Sequence, residues 1–388
     1  MRICFICADG GIPVFGDKGG SVHVRAMVRA FARLGHEVTV LCAETGDGPP
    51  EFPVTAFGPD FPRAEDRAAK ERRLIAVAQA IEERVVALHR ERPFGLIYER
   101  YGLWSAAAVR ASARTGCPAV VEVNAPLVQE QAAFRNFVLR DEAVAIEREV
   151  FSRATALAVV SRELCGYVTA RGADPARVAV IGNAVDTAMF HPGIAPASVP
   201  GLAPGGFTVG FTGSLKAWHG TEVLIDAVAR LAARRDVRLL IVGDGPDRAA
   251  LEEQARTRGI ADRMVITGWV PHHRLPTLIA RMDVATAPYP AAGGHYFSPL
   301  KLYEYLAMGR PVVASDIGQT AALLRPSGAG VLVPPGDAAA LADALERVAH
   351  DEGLAQRLGN LAARLGRGLD WTANAARVVR MARPKVAA

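Results

Sequence analysis

Cysteine is scarce in this chain of 388 residues: there are five, an odd number, mostly set inside apolar segments rather than at framework spacings. That excludes a disulfide scaffold. Cys4 and Cys7 spell C-x-x-C, but both fall in one expected strand, where residues three apart face opposite sides of a sheet, so neither redox nor metal chemistry is expected of them. Long hydrophobic runs are missing too. The opening M-R-I-C-F-I-C-A-D-G-G contains an apolar run over 3–8 only, too short for a signal-peptide core and far too short to span a bilayer, and no later run reaches membrane length. The expected location is the cytoplasm, with peripheral contact at the inner membrane surface left open. Charge of one sign is in small excess, 45 Lys and Arg against 40 Asp and Glu, for a net charge of +5. This suits a solvated surface, an acidic donor or an anionic membrane. Zinc-finger spacings, RNA-binding aromatic motifs and basic tracts interleaved with aromatics are absent, so no nucleic-acid partner is expected. The glycines at 10, 11, 16, 19 and 20 never produce G-x-G-x-x-G, which disfavours a dinucleotide enzyme.

What the chain does have is an alternation. Half of it is hydrophobic and it carries 37 glycines, a composition suited to buried parallel strands joined by tight turns. Its length fits two α/β domains better than one core. Residues 2–8 read as a buried strand, 9–20 as a glycine-rich loop, 22–34 as an amphipathic helix that Ser21 can cap, and 36–42 as a second strand. A long helix is expected over 63–92, with Arg63, Arg67, Lys70, Arg72 and Arg73 at its basic end. The acids interleaved there make a solvated face the plainer reading and a rest on anionic lipid the other. Further strands are expected at 96–99, 119–123, 155–161 and 178–181. The stretch 182–206, rich in Pro, Gly and Ala, marks a boundary. The pattern then restarts with a strand at 207–212, a loop at 213–220, a helix at 221–233 and a strand at 237–242, and helices close the chain at 337–350, 354–365 and 371–381. The inferred architecture is α/β, two Rossmann-like domains facing across a cleft.

Residues 297–315, F-S-P-L-K-L-Y-E-Y-L-A-M-G-R-P-V-V-A-S, read as loop, helix, turn and strand. Pro299 suits the opening of a helix, where a backbone donor is not needed, and the free amides of that end attract phosphate. Lys301 follows within a turn, Glu304 comes one turn later, and Gly309-Arg310-Pro311 breaks the helix. Amides, a cation and a carboxylate on one short helix suit a diphosphate joined to a ribose. The plain alternative is an amphipathic helix with Leu300, Tyr303, Leu306 and Ala307 in the core and both charges solvated.

The string over 301–315, with I-G-N-A-V-D-T-A-M-F-H-P over 181–192 and L-L-I-V-G-D-G-P over 239–246, resembles the family-4 retaining glycosyltransferases of the GT-B fold. The resemblance implies an N-terminal acceptor-binding domain at 1–182, a linker at 183–206, a nucleotide-sugar-binding domain at 207–370 and a final segment, 371–388, that crosses back to the first domain. It implies that Gly19 and Gly20 let the backbone approach the donor, that Gly243 does the same, that the backbone around Val270 meets the nucleobase, and that Glu304 receives the ribose. F-T-G-S-L-K-A-W-H-G over 211–220 is similar to the family's phosphate-binding pattern G-R-L-x-x-x-K-G, beginning at Gly213, with Ser214 in the arginine position and His219 in the lysine position. Lys216, His219 and Lys301 are expected to neutralise the leaving diphosphate together, with Trp218 packing the loop or stacking on the ligand. Many members place a histidine just past the strand at 119–123. Here Glu122 and Asn124 stand nearby, and Asn124 is the candidate for touching sugar or acceptor. The family often has two glutamates eight positions apart, but counting back from Glu304 reaches Tyr296. The sugar is then left to the amides of the stretch Ser298, Pro299, Leu300 and to His295 or Tyr296.

The resulting expectation is a retaining, metal-independent glycosyltransferase without a cofactor. It would move a sugar from a nucleoside-diphosphate sugar, UDP favoured over GDP, to a hydroxyl of a carbohydrate, lipid-linked or small-molecule acceptor in glycan, glycolipid or natural-product biosynthesis. The sequence has no Asp-x-Asp pair, which a hard cation would want. The missing first glutamate and the altered Arg and Lys positions keep a non-catalytic, glycosyltransferase-like binding subunit as the alternative.

Overall fold

The computed structural model describes residues 1–62, 65–134, 137–202, 205–291 and 295–383; Arg63, at the expected start of the second helix, lies outside them. The chain forms two units. The first consists of Met1–Gly182, Tyr296–Ser298 and the segment from Trp371, and the second of Asn183–His295 and Pro299–Asp370. The stretch read as a linker therefore belongs to the second unit, and three residues from late in the chain belong to the first.

In the first unit, β1 (Arg2–Cys7), β2 (Glu37–Cys42), β3 (Val54–Ala56), β4 (Leu96–Arg100), β5 (Ala119–Val123), β6 (Ala156–Val159) and β7 (Val178–Val180) make a parallel sheet in the order β3-β2-β1-β4-β5-β6-β7. The near-continuous apolar strands follow from burial on both faces: β1 is buried from Ile3 onward and all of β5 is buried. The helices are α1 (Gly19–Arg33), α2 (Arg67–Glu91), α3 (Ala107–Thr115), α4 (Leu127–Phe134), α5 (Arg140–Arg153) and α6 (Arg162–Thr169). Aromatic rings lock α1 to the sheet, with Tyr98 lying 5.1 Å from Phe5 and 5.4 Å from Phe31 between ring centroids.

The start of α1 differs from the sequence reading. The helix begins at Gly19, Lys18 takes the cap position without a side-chain bond, and Ser21 lies buried in the first turn instead of capping it. Gly19 and Gly20 are consequently helical residues, and a Cβ at Gly20 would press on Ile12 at 3.1 Å. All five cysteines are free, and burial pushes the Cys7 thiol up to about 12, away from thiolate chemistry.

In the second unit, β8 (Phe207–Thr212), β9 (Val237–Val242), β10 (Met264–Ile266), β11 (Val284–Ala287), β12 (Val312–Ser315) and β13 (Val331–Val333) form a parallel sheet in the order β10-β9-β8-β11-β12-β13. Around it lie α7 (Thr221–Ala232), α8 (Arg248–Thr257), α9 (Leu275–Ile279), α10 (Leu300–Ala307), α11 (Gly318–Ser327), α12 (Ala338–His350) and α13 (Glu352–Gly366). Asp337 caps α12, accepting from the Ala339 and Ala340 amides at 2.9 Å, and Asp351 caps α13 from the Leu354 amide at 2.8 Å. The last helix, α14 (Trp371–Met381), returns to the first unit. Trp371 sets its ring edge-on to His23 of α1 at 4.8 Å, and Asn374 Nδ2 and Arg377 Nη2 donate to the Gly182 and Val180 carbonyls, each at 2.8 Å.

Strand order reverses between β1 and β4 in one sheet and between β8 and β11 in the other. Open α/β sheets take ligands beyond the carboxyl ends of the strands at such points. Among the described residues no helix is long and apolar enough to cross a membrane.

Candidate functional site

Beyond the carboxyl end of β8 the chain turns sharply at Gly213 (φ 140°), and beyond β9 it does so at Gly243 (φ 147°). The two turns touch backbone to backbone: Gly213 N donates to the Val242 carbonyl at 3.0 Å, and a Cβ on Gly243 would stand 2.0 Å from Gly213 O. Only glycine meets both the dihedral and the approach. Helix α10 opens against this floor. Pro299 occupies the cap position in an extended conformation, one residue earlier than the first turn that its lack of a donor suggested. The helix is then buried almost all round, Lys301 and Glu304 included, at 7% and 6% exposure. The amphipathic alternative with both charges solvated is ruled out.

Lys301 packs its amine into the space that Gly213 leaves. A Cβ at Gly213 would come within 2.7 Å of Nζ, Nζ lies 3.8 Å above the Phe211 ring and 5.7 Å from the Tyr289 ring, and it is 3.3 Å from His219 Nδ1. Burial holds Lys301 well below the ordinary lysine value, which the Glu304 charge only partly offsets. His219 is pushed down to about 2, by burial first and then by Lys301 and Lys216. Its imidazole is neutral at working pH, so Nδ1 accepts from the lysine. Glu304 turns elsewhere: its Oε1 is 2.8 Å from His272 Nε2. Tyr305 pins α10 to β8, its hydroxyl accepting from Thr212 N at 2.6 Å. The assembly offers helix amides, a buried cation and an aligned carboxylate around a turn without side chains, a chemistry that matches phosphate oxygens and vicinal hydroxyls.

The description "Glycosyl transferase 4-like domain" matches residues 18–184, and "Glycosyl transferases group 1" matches residues 206–351. The 2-deoxystreptamine glucosyltransferase of Streptomyces kanamyceticus is 30% identical over 317 residues, covering 77% of this chain and 77% of that protein. The chain belongs to the family-4 glycosyltransferases of the GT-B fold. A second match from the same organism, alpha-D-kanosaminyltransferase, is 35% identical over 158 residues, and the chain spans only 39% of that relative's length. Among solved structures, Anabaena Alr3699/HepE in complex with UDP and glucose superposes with a TM-score of 0.71 at 18% identity, over 98% of each chain, a likeness of fold.

Within this glycosyltransferase, the second unit brings together Gly213, Ser214, Lys216, His219, Gly243, Pro299, Leu300, Lys301 and Glu304 around the β8 end. Ser214 is exposed on the turn, and Lys216 lays its amine 4.6 Å over the ring of Trp218, which is 53% exposed. Val270, half-buried, lies past β10 in the same unit. His295 is buried there with Nε2 3.0 Å from the Pro290 carbonyl. Gly19, Gly20, Asn124, Tyr296 and Ser298 belong to the first unit. There the Tyr296 hydroxyl donates to Glu130 of α4, and Asn124 is half-buried just beyond β5.

Glu122 proves to be the centre of a buried cluster of the first unit. Its Oε1 is 2.7 Å from His23 Nε2, and the Tyr98 hydroxyl donates to Oε2. Burial alone would raise this carboxyl, but His23, Arg100 and Tyr98 hold it below its ordinary value. A glutamate in the apolar string A-V-V-E-V was a signal of such a role. His23 and His272 carried none, because their partners are distant in the chain. Among the described residues no group of three or more His, Cys, Asp or Glu is placed to hold a metal ion.

Proposed function

We propose that this enzyme is a retaining glycosyltransferase that takes its sugar from a UDP-sugar, needs no metal, and delivers the sugar to an acceptor hydroxyl. The observation that carries this reading is the buried Lys301 amine over the Gly213 turn, one helical turn from Glu304. Phosphate oxygens accept from Lys301 and from the open amides of α10, while Glu304 accepts from the ribose hydroxyls. As the glycosidic bond breaks, the electron pair leaves with the diphosphate. With the diphosphate seated, the Lys301 amine carries its positive charge beside it and stabilises that transition state, which is the part a divalent metal plays elsewhere. His219, neutral, holds the amine in place and itself contributes a donor through Nε2. The acceptor attacks from the face the diphosphate leaves, and a diphosphate oxygen takes the acceptor proton, which gives retention without an enzyme nucleophile.

UDP is favoured because Anabaena Alr3699/HepE, which shares the fold, is described with UDP and glucose bound. A small cyclic acceptor is favoured over a lipid-linked one because one relative matched over 77% of its length is named for 2-deoxystreptamine and another matched over 90% is named for D-inositol 3-phosphate. The test is calorimetric titration with UDP, GDP and ADP in the presence of chelator, followed by assay of the matching nucleotide sugars and assignment of the product anomer by NMR. Selective UDP binding, turnover that persists in chelator and an unchanged anomeric configuration are the expected results. Loss of turnover in chelator or an inverted product would refute the corresponding part.

A further inference from the structure

Lys301 and Glu304 stand three apart on α10, a spacing at which opposite charges are neighbours on a helix surface. Elsewhere in this chain helical pairs of opposite charge close, Arg256 onto Glu253 over three residues and Arg67 onto Glu71 at 2.9 Å over four. On α10 the attraction is greater, because both groups are buried and poorly screened by water. Yet each turns to a histidine from another element, Lys301 to His219 Nδ1 at 3.3 Å and Glu304 to His272 Nε2 at 2.8 Å. His272 comes from the short helical turn His272–Arg274 after Pro271, and its ring is backed by Phe190 at 5.3 Å. Its Nε2–H donates to the carboxylate, which leaves the second carboxylate oxygen to meet a ligand.

We propose that His272 is a positioning residue for donor binding: by holding Glu304 it prevents the carboxylate from closing onto Lys301, so that one helix keeps a cation for the diphosphate and a carboxylate for the ribose. The inference rests on the donor-site reading given above. Two attractions compete for Glu304, one internal and one with the histidine, and the histidine sets which is satisfied before the ligand arrives. When the nucleotide binds, its phosphates meet an amine that no carboxylate has neutralised. Without His272 the internal pair forms, and the nucleotide has to break it.

The consequence is a pattern that loss of one hydrogen bond does not give. His272→Ala should weaken UDP binding by about tenfold or more, the scale for one hydrogen bond to a charged group, and at least as much as Glu304→Ala does, because it disables the cation as well. Adding Glu304→Ala to His272→Ala should restore affinity to the level of Glu304→Ala alone. His272→Gln, whose side-chain amide can donate from nearly the same place as Nε2, should bind close to wild type. In turnover the effect of His272→Ala should fall mainly on the donor KM.

The experiment is calorimetry with UDP and with GDP on the full chain, for wild type, the three single variants and the double variant. Additive losses in the double variant, wild-type affinity in His272→Ala beside a weakened Glu304→Ala, or equal loss in His272→Gln and His272→Ala would each overturn the inference while leaving the donor site standing. The last result would assign the effect to ring packing on Phe190. Absence of nucleotide binding in wild type, or unchanged binding in Glu304→Ala, would sink the donor-site reading and this inference with it.

Discussion

Lys301 owes its position to a residue without a side chain. Its amine fills the room above Gly213 and lies against Phe211, an apolar setting in which a charge is costly until an anion arrives. Lys301→Ala should therefore improve the comfort of the empty core while removing roughly 2 to 4 kcal/mol of transition-state stabilisation, the scale for one preorganised electrostatic partner. Steady-state assay of the folded variant checks this; unchanged turnover would take the residue out of the mechanism. His219 yields a pH prediction. Its folded pKa is depressed to about 2 from 6.5, so the unfolded chain binds the extra proton between those values. The stability His219 contributes is thus fully present above about pH 6.5 and is lost as pH falls toward 2. Urea denaturation across pH 7 to 4 should show a smaller acid loss in His219→Gln than in wild type, and equal slopes would mean that the imidazole titrates normally.

At the level of elements, α14 completes the first unit, and its anchor is Trp371, 3% exposed and set on the ring of His23. Trp371→Ala should destabilise the first unit by about 3–5 kcal/mol, the usual cost of deleting a buried Trp side chain. Chemical denaturation followed by circular dichroism measures it, and a loss under about 1 kcal/mol would show that α14 is held by its backbone-directed bonds alone. The elements also show what could be read without coordinates. Strands such as R-I-C-F-I-C and F-T-V-G-F-T announce burial on both faces, and the K-x-x-E spacing of α10 put its two charges on neighbouring positions. The start of α1 is not legible in the sequence because a glycine pair reads as loop, whereas here it lets the helix approach Ile12. The partners of Glu304 and Tyr296 were illegible for another reason. His272 and Glu130 lie 32 and 166 residues away from them, and no periodicity connects side chains that only tertiary folding brings together.

For the molecule as a whole, the same topological device occurs twice, a parallel sheet with one reversal of strand order, but the two reversals are furnished differently. In the second unit an amine and a carboxylate are kept apart beside a bare turn. In the first, the buried carboxylate of Glu122 is already satisfied by His23 and Tyr98. The first unit is moreover discontinuous, since after a body that ends at Gly182 it takes in Tyr296–Ser298 and then the helix that starts at Trp371. During translation the ribosome must therefore add 370 − 182 = 188 residues before it reaches the first residue of that helix, a wait of about 10 to 40 s at roughly 5–20 residues per second. Throughout it the face of α1 that α14 will cover stays open on the nascent chain.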